Sequence, residues 1–421
     1  MYDVPITGLV LSGGGARAGY QVGVLKAIAQ LRRESGTDLR RNPFGVICGT
    51  SAGAINSAAL ACSADDFDAA VEQLTAVWRG FSADQVYRAD SLGVIRTGAQ
   101  WLTMVSIGWA LNRFRRARPR SLLDNAPLAE LLARMVPLQR LPRLLKSRHL
   151  QALAITASGY GSGEHVTFYQ SAVPIAPWTR TQRQAVPTEI GLPHLLASSA
   201  IPFVFAATEL DHQGQREWFG DGSMRQMAPI SPAIHLGAQR VLVIGAGRLH
   251  EPPGRRAPNT GYPSIAQIAG HALSGIFLDA LAADVERLDR INRTLALLSE
   301  AQRLATPLRP VQALVIAPSQ RLDDLAAQHI DALPVPVRAL LGGVGVSSRL
   351  ASQGPRGAAL ASYLLFEAPY TQALIALGEA DTLARRDEVL AFFDWRAPPL
   401  RGARLPGAAT APRSEGAASH C

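Results

Sequence analysis

FGVICGTSAGAINSAAL, residues 44–60, sets Ser51 between small residues, with an apolar run before it and an alanine-rich run after it. Phe44 to Cys48, centred on Val46 and Ile47, reads as a short buried strand. Ala52 to Cys62, rich in alanine and leucine, reads as a buried helix. Between them, Gly49-Thr50-Ser51-Ala52-Gly53 matches G-x-S-x-G. That pattern is a nucleophile elbow when it joins a strand to a helix, because the sharp turn lifts the serine oxygen clear of the sheet. Gly49 and Gly53 leave room for the turn and for a substrate. An ordinary strand-to-helix turn with a filler serine fits the same five residues. A nucleophile also needs a base and an oxyanion hole, which must be sought elsewhere in the chain.

Composition bounds the class. The 421 residues suffice for one large α/β domain or two smaller ones. No apolar run is long enough to span a bilayer. The start, MYDVPITGLVLSGGG, lacks a basic region and a cleavage site, so no signal peptide is expected. Cys48, Cys62 and Cys421 are too few, and odd in number, for a disulfide framework, which fits a reducing, cytoplasmic compartment. With neither CxxC nor HExxH, no zinc site is expected. The net charge is +9 and the bases are nearly all arginine, Lys26 and Lys146 being the exceptions. Such a charge suits an anionic partner. No nucleic-acid motif accompanies it, so no nucleic-acid partner is expected.

Along the chain, strands alternate with helices, which indicates a layered α/β fold. Ile6 to Leu11 is a first strand, followed by a helix from about Tyr20 to Arg33. Residues 64–90 look helical, with Phe67, Val71, Leu74 and Trp78 on one stripe. Leu122 to Met135 reads as another helix. Gln151 to Ala157 and Glu164 to Tyr169 read as two strands joined by a glycine-rich turn at 159–163. Arg240 to Ile244 and Ala313 to Ile316 are buried strands, and Ala272 to Leu298 is a long amphipathic helix. Ser362 to Leu377 and Asp387 to Phe393 are the last helices. Residues 397–421, rich in Pro, Gly, Ala and Ser, read as a disordered tail.

Two further stretches carry chemistry. Ser12-Gly13-Gly14-Gly15-Ala16-Arg17-Ala18-Gly19 is a glycine loop between a strand and a helix. Consecutive glycines can turn their amides toward one point, forming an anion nest. The anion is either a dinucleotide pyrophosphate or the oxyanion of acyl transfer. The dinucleotide use wants an acid at the end of the second strand. Glu34 and Asp38 precede that strand, which weakens the cofactor reading. Glu217-Trp218-Phe219-Gly220-Asp221-Gly222-Ser223 ends a short aromatic strand in an aspartate between glycines. Those neighbours permit close approach to the carboxylate. Asp-Gly is equally an ordinary turn pair.

Taken in order, GLVLSGGGARAGYQVGVL, GTSAG and WFGDGSM resemble the patatin-like phospholipase family, with support from ASSAIPFVF (197–205) and APISPAIHLGA (228–238). The resemblance covers roughly residues 8–240, and the later stretch around 271–292 is similar to a bacterial branch of that family. It departs at Ala18, where the family loop has its last glycine, and at Ser223, where Gly or Ala is usual. The resemblance implies a three-layer α/β/α fold with a mainly parallel central sheet. It implies an acyl hydrolase domain at 6–240, an α-rich C-terminal extension at 241–396 packed on the same core, and the tail. It further implies Ser51 as nucleophile, Asp221 as base, and an oxyanion hole from the glycine loop, made by the amides of Gly13, Gly14 and Gly15 together with Arg17. No cofactor or metal is implied, and the substrate is a phospholipid, lysophospholipid or neutral glycerolipid.

Rival readings are a Ser-His-Asp triad in which His235, His250 or His271 follows Asp221, a non-catalytic lipid binder on the same fold, and an NAD-binding protein. A lipid hydrolase must also reach an aggregated substrate. Trp101, Val105 and Trp109 form one helical stripe, followed by Arg113, Arg115, Arg116, Arg118 and Arg120. Residues 101–120 therefore read as a peripheral contact with anionic membrane, a lid, or a core helix with a basic loop.

Overall fold

In the computed structural model, which describes residues 5–88, 121–248, 262–276, 280–346 and 357–395, the chain builds one ten-stranded sheet. Its strands are β1 (Thr7–Leu11), β2 (Val46–Thr50), β3 (Ala152–Gly159), β4 (His165–Ser171), β5 (Trp178–Arg180), β6 (Arg183–Pro187), β7 (Thr208–His212), β8 (Gln215–Asp221), β9 (Arg240–Ile244) and β10 (Gln312–Ile316). They lie in the order β10-β9-β1-β2-β3-β4-β6-β5, and β8 pairs with β3 and β7. From β10 to β3 every pairing is parallel. The antiparallel pairs are β3–β4, β3–β8, β5–β6 and β7–β8.

The parallel strands alternate between two apolar layers, so both faces are covered. Leu9, Leu11, Ile47, Leu242 and Ile244 point into the larger core. It is shared with α1 (Gly19–Glu34), α2 (Ala52–Ala61), α3 (Phe67–Arg79) and the helix Ala368–Ala384. Val10, Val46, Cys48, Val241 and Val243 point into the opposite core, against the helices Ser231–His235 and Ala280–Ala296. Two helical layers therefore enclose the sheet. Burying each such aliphatic side chain contributes roughly 1.5–3 kcal/mol. Both described cysteines are buried and unbonded, and burial pushes their thiols up.

Element types follow the sequence pattern, while ends move where pairing or caps intervene. The elbow strand runs to Thr50 because Gly49 and Thr50 are paired to β3, and pairing overrides their weak strand preference. The helix expected over 64–90 is shorter. Asp66 caps it by accepting from the Ala69 amide at 3.0 Å, and it stops before Gly80. The helix expected from 122 begins at Ala126, with Pro127 in its first turn. The long helix expected over 272–298 is instead Ile265–Ser274, capped by Ser264, and Ala280–Ala296. Ala358–Leu364 and Ala368–Ala384 replace one helix, because Pro369 cannot continue the first and suits the start of the second. Short β5, β6 and β7 are half-exposed and show no apolar alternation, so their sequences carry no strand signal. Residues 101–120 and the tail lie outside the described residues.

Candidate active site

Neighbouring parallel strands bring their C-terminal ends together, and the loops that follow become neighbours. β1 pairs with β2 up to Leu11 opposite Gly49. The glycine loop thus leaves the sheet beside the elbow. At the elbow Ser51 is 1% exposed and holds φ 56° with ψ −132°, a conformation that costs a non-glycine residue energy. The two elbow glycines are forced by contact. A Cβ on Gly49 would stand 2.4 Å from the Gly53 carbonyl oxygen, and one on Gly53 would stand 2.4 Å from that of Leu11.

Register explains how Asp221 arrives. β4 occupies one edge of β3 over residues 152–158. β2 follows the other edge as far as Thr50 opposite Thr156, and then Ser51 turns away. β8 takes over that vacated edge from the opposite direction and ends with Asp221 opposite Ala157. The two residues meet head-on. Ser51 Oγ donates to Asp221 Oδ2 at 2.5 Å, short enough for a hydroxyl bonded to a carboxylate. The Ser223 amide donates to Asp221 Oδ1 at 2.9 Å. Gly222 is required here, since a Cβ would stand 2.3 Å from the Thr156 carbonyl oxygen. Asp221 is fully buried, and burial pushes its carboxyl up to about 6, against the bonds from Ser51 and Ser223 that pull it down.

A short segment after the helix Leu192–Ser198 ties both residues. The Ser51 amide donates to Ser198 Oγ at 2.9 Å, and the Asp221 amide donates to the Ala200 carbonyl at 3.0 Å. With its amide committed to Ser198, Ser51 cannot use it for an oxyanion. Donors are left to the amides that open the helix after Ser51 and to the neighbouring glycine loop. Gly15 lines the same apolar channel as Ser51, together with Ile55, Leu74, Trp78, Leu131, Met135 and Phe205. That channel runs between α2, α3 and the helix Ala126–Met135, and Ser51 is part of its lining.

Buried polar contacts anchor the loop. Ser12 Oγ donates to the Ile244 carbonyl at 3.0 Å, and Gln21 Nε2 donates to the Ser12 carbonyl at 2.7 Å. Asn56 Nδ2 donates to Gln21 Oε1 at 3.0 Å, and Trp78 Nε1 donates to Asn56 Oδ1 at 2.9 Å. Arg17, expected in the oxyanion hole, has its side chain engaged by the C-terminal part of the chain. Its guanidinium bonds to Asp323 and Ser362, beneath the Tyr363 ring.

The histidines considered as bases lie elsewhere. His235 stacks on Trp178 and bonds through Nδ1 to the Ser231 carbonyl at 2.9 Å. His271 is exposed, and His250 lies outside the described residues. Sequence reasoning missed Ser198, although the run ASSAIPFVF containing it stood out. It also missed His165, buried on the strand face opposite Asp221, where burial pushes its imidazole down to about 4. Among the described residues no cluster of His, Cys, Asp and Glu could hold a metal, and no helix is long and apolar enough to cross a membrane.

The family model for patatin-like phospholipases matches residues 9–234, more than half of the chain. The chain belongs to the patatin-like phospholipase family. As a patatin-like phospholipase it is a lipid acyl hydrolase, and its substrate is a lipid. No curated protein matches it. Among solved structures it aligns with VipD from Legionella pneumophila at 13% identity, over 95% of this chain and 93% of that one, with a TM-score of 0.33. Human GIVD cytosolic phospholipase A2 aligns at 11% identity over 93% of this chain and 61% of that one, with a TM-score of 0.43. ExoU from the type III secretion system of Pseudomonas aeruginosa, in its complex with SpcU, aligns at 15% identity over 92% and 76%, with a TM-score of 0.26.

Proposed function

We propose that this patatin-like phospholipase cleaves glycerolipid esters through a Ser51–Asp221 dyad and an acyl-enzyme. The observation that carries the reading is the buried 2.5 Å bond from Ser51 Oγ to Asp221 Oδ2, with Ser51 in the lining of an apolar channel. Asp221 takes the Ser51 proton as Oγ attacks the ester carbonyl. The carbonyl oxygen becomes an oxyanion, held by amides of Gly13, Gly14 and Gly15. Collapse expels the alcohol, which leaves with the proton from Asp221. Water then gives a proton to Asp221 and attacks the acyl-enzyme, and collapse breaks the acyl–Oγ bond, releases the fatty acid and returns the proton from Asp221 to Ser51 Oγ. A free carboxylate is a weak base for a hydroxyl, and the raised carboxyl of Asp221 supports its role. The acyl chain lies in the channel, whose walls are almost wholly apolar.

The substrate classes are phospholipids, lysophospholipids and related glycerolipids. The acyl hydrolase domain extends over 6–240, with 241–396 as an extension on the same core. The enzyme works in the cytoplasm and meets anionic membrane through residues 101–120, a reading that rests on their sequence alone. The test is hydrolysis of a lipid panel by wild type and Ser51→Ala, with fluorophosphonate labelling in parallel. Release of fatty acid and labelling should both vanish in Ser51→Ala. Activity that survives the substitution would remove Ser51 from the chemistry.

A further inference from the structure

Three glycines have no side chains with which to fix their own loop, so its geometry must be set from outside. The far end of the loop is gripped by chain that lies beyond the family match. Arg17 is 2% exposed. Its Nε donates to Ser362 Oγ at 2.8 Å, and its Nη2 pairs with the Asp323 carboxylate. Its guanidinium carbon stands 3.9 Å from the centroid of the Tyr363 ring. The loop backbone rests on the same helix, Ala358–Leu364. Gly15 has φ +55°, and a Cβ on it would stand 2.3 Å from the Tyr363 carbonyl oxygen. A guanidinium stripped of water is tolerated only with partners. The Ser12 end of the loop is anchored by Ile244 and Gln21, and its Gly15–Arg17 end by Asp323 and the helix Ala358–Leu364.

We propose that Asp323, Ser362 and Tyr363 are positioning residues of the acyl-transfer site. Acting through Arg17, they hold the Gly13–Gly15 amides in register with Ser51. This rests on reading that loop as the oxyanion hole. A preorganised donor loses its worth with a displacement of about 1 Å, so a grip on the loop sets the rate of the chemical step more than substrate affinity. Nε of Arg17 donates to Ser362 and Nη2 to Asp323 and the Ala359 carbonyl. They face the C-terminal extension and not the channel, so Arg17 acts on the loop and not on a lipid headgroup.

The experiment uses the full chain and p-nitrophenyl butyrate, a soluble ester that needs no membrane. Wild type, Arg17→Gln, Asp323→Asn, Asp323→Glu, Ser362→Ala and the Arg17→Gln/Asp323→Asn double variant are compared. For each, kcat, KM, fluorophosphonate labelling rate and melting temperature are measured. Asp323→Asn and Arg17→Gln should each lower kcat about 10- to 100-fold with KM within about twofold. Labelling should slow in parallel, because phosphonylation also builds charge on the oxygen. The double variant should be no worse than the poorer single one, since both cut one contact. Asp323→Glu should recover part of kcat. Ser362→Ala removes one hydrogen bond and should cost about 3- to 10-fold, and it serves if the ion-pair variants do not fold. A folded Asp323→Asn or Ser362→Ala with wild-type kcat, or losses that multiply in the double variant, would overturn the proposal. Hydrolysis that persists in Ser51→Ala is a separate failure. It would sink the acyl-transfer reading and this proposal with it.

Discussion

Ser51 and Asp221 each sit where an unconstrained chain would not put them. Ser51 holds a backbone conformation suited to glycine, and Asp221 is a fully buried carboxylate. In the proposed dyad both costs serve one end, a hydroxyl aimed at a dry base. The carboxyl of Asp221, pushed to about 6 from its ordinary 3.8, makes two predictions of known sign. Asp221 accepts a proton only when ionised, so kcat/KM on a soluble ester should fall as pH drops through about 6 and level off above about 7. Stability should move the other way. The folded carboxyl binds its proton more tightly than the unfolded one. Stability is therefore greatest below about 4 and declines as pH rises to about 6. The displacement corresponds to about 3 kcal/mol. Asp221→Asn, which cannot ionise, should melt higher than wild type at pH 8 and at nearly the same temperature at pH 4. Its kcat should fall by roughly three orders of magnitude. A melting difference that is equal at the two pH values would show that the buried charge is not the cost.

At the scale of elements, α1 and the helix Ala368–Ala384 pack so closely that glycines are needed on both. A Cβ on Gly23 would stand 2.0 Å from the Ile375 carbonyl oxygen, and one on Gly378 would stand 2.2 Å from that of Tyr20. Tyr20 Oη donates to Asp381 at 3.0 Å, and Lys26 pairs with Glu379 at 2.6 Å across the same contact. Two effects compete in Gly23→Ala. Alanine favours the helix by about 1 kcal/mol, while a methyl forced into backbone separates the helices at about 1–3 kcal/mol or more. At 2.0 Å the clash should win, so Gly23→Ala should be destabilising. Gly36→Ala is a useful contrast. No atom lies within 4 Å of its Cβ position, and its cost comes from φ +69° alone. Chemical denaturation of the two variants checks the comparison. A Gly23→Ala protein as stable as wild type would mean the helices can move apart freely.

For the whole molecule, chain from both ends of the sequence meets at the glycine loop. The family match stops at residue 234, yet β9 and β10 widen the same sheet, and Arg17 is paired to Asp323. On the proposed membrane contact, the five arginines at 113–120 contribute part of the net charge of +9. Each is worth about 1 kcal/mol near an anionic surface. Wild type should sediment with vesicles containing anionic lipid and release them at high salt. A variant with all five arginines changed to glutamine should bind far less while hydrolysing a soluble short-chain ester at the wild-type rate. Equal sedimentation by both proteins would move the membrane contact elsewhere.

What the residues determine alone is local. VICGTSAGAIN reads as strand, turn and helix because apolar period and glycine placement act over a few residues. The same holds for SGGGARAG and for WFGDGS, and together with their order they suffice for the family and the layered α/β class. Element ends were less legible, because caps such as Asp66 and pairing such as Thr50 with Thr156 shift them by several residues. Only the tertiary structure decided what meets across distance. Ser51 and Asp221, 170 positions apart, come together because β2 and β8 share one edge of β3. Ser198 takes the Ser51 amide, and the distant Asp323 takes Arg17, through packing that leaves no periodic signal in either segment. Local pattern is carried by neighbours in the chain, and register between strands is carried by hydrogen bonds that no short stretch contains.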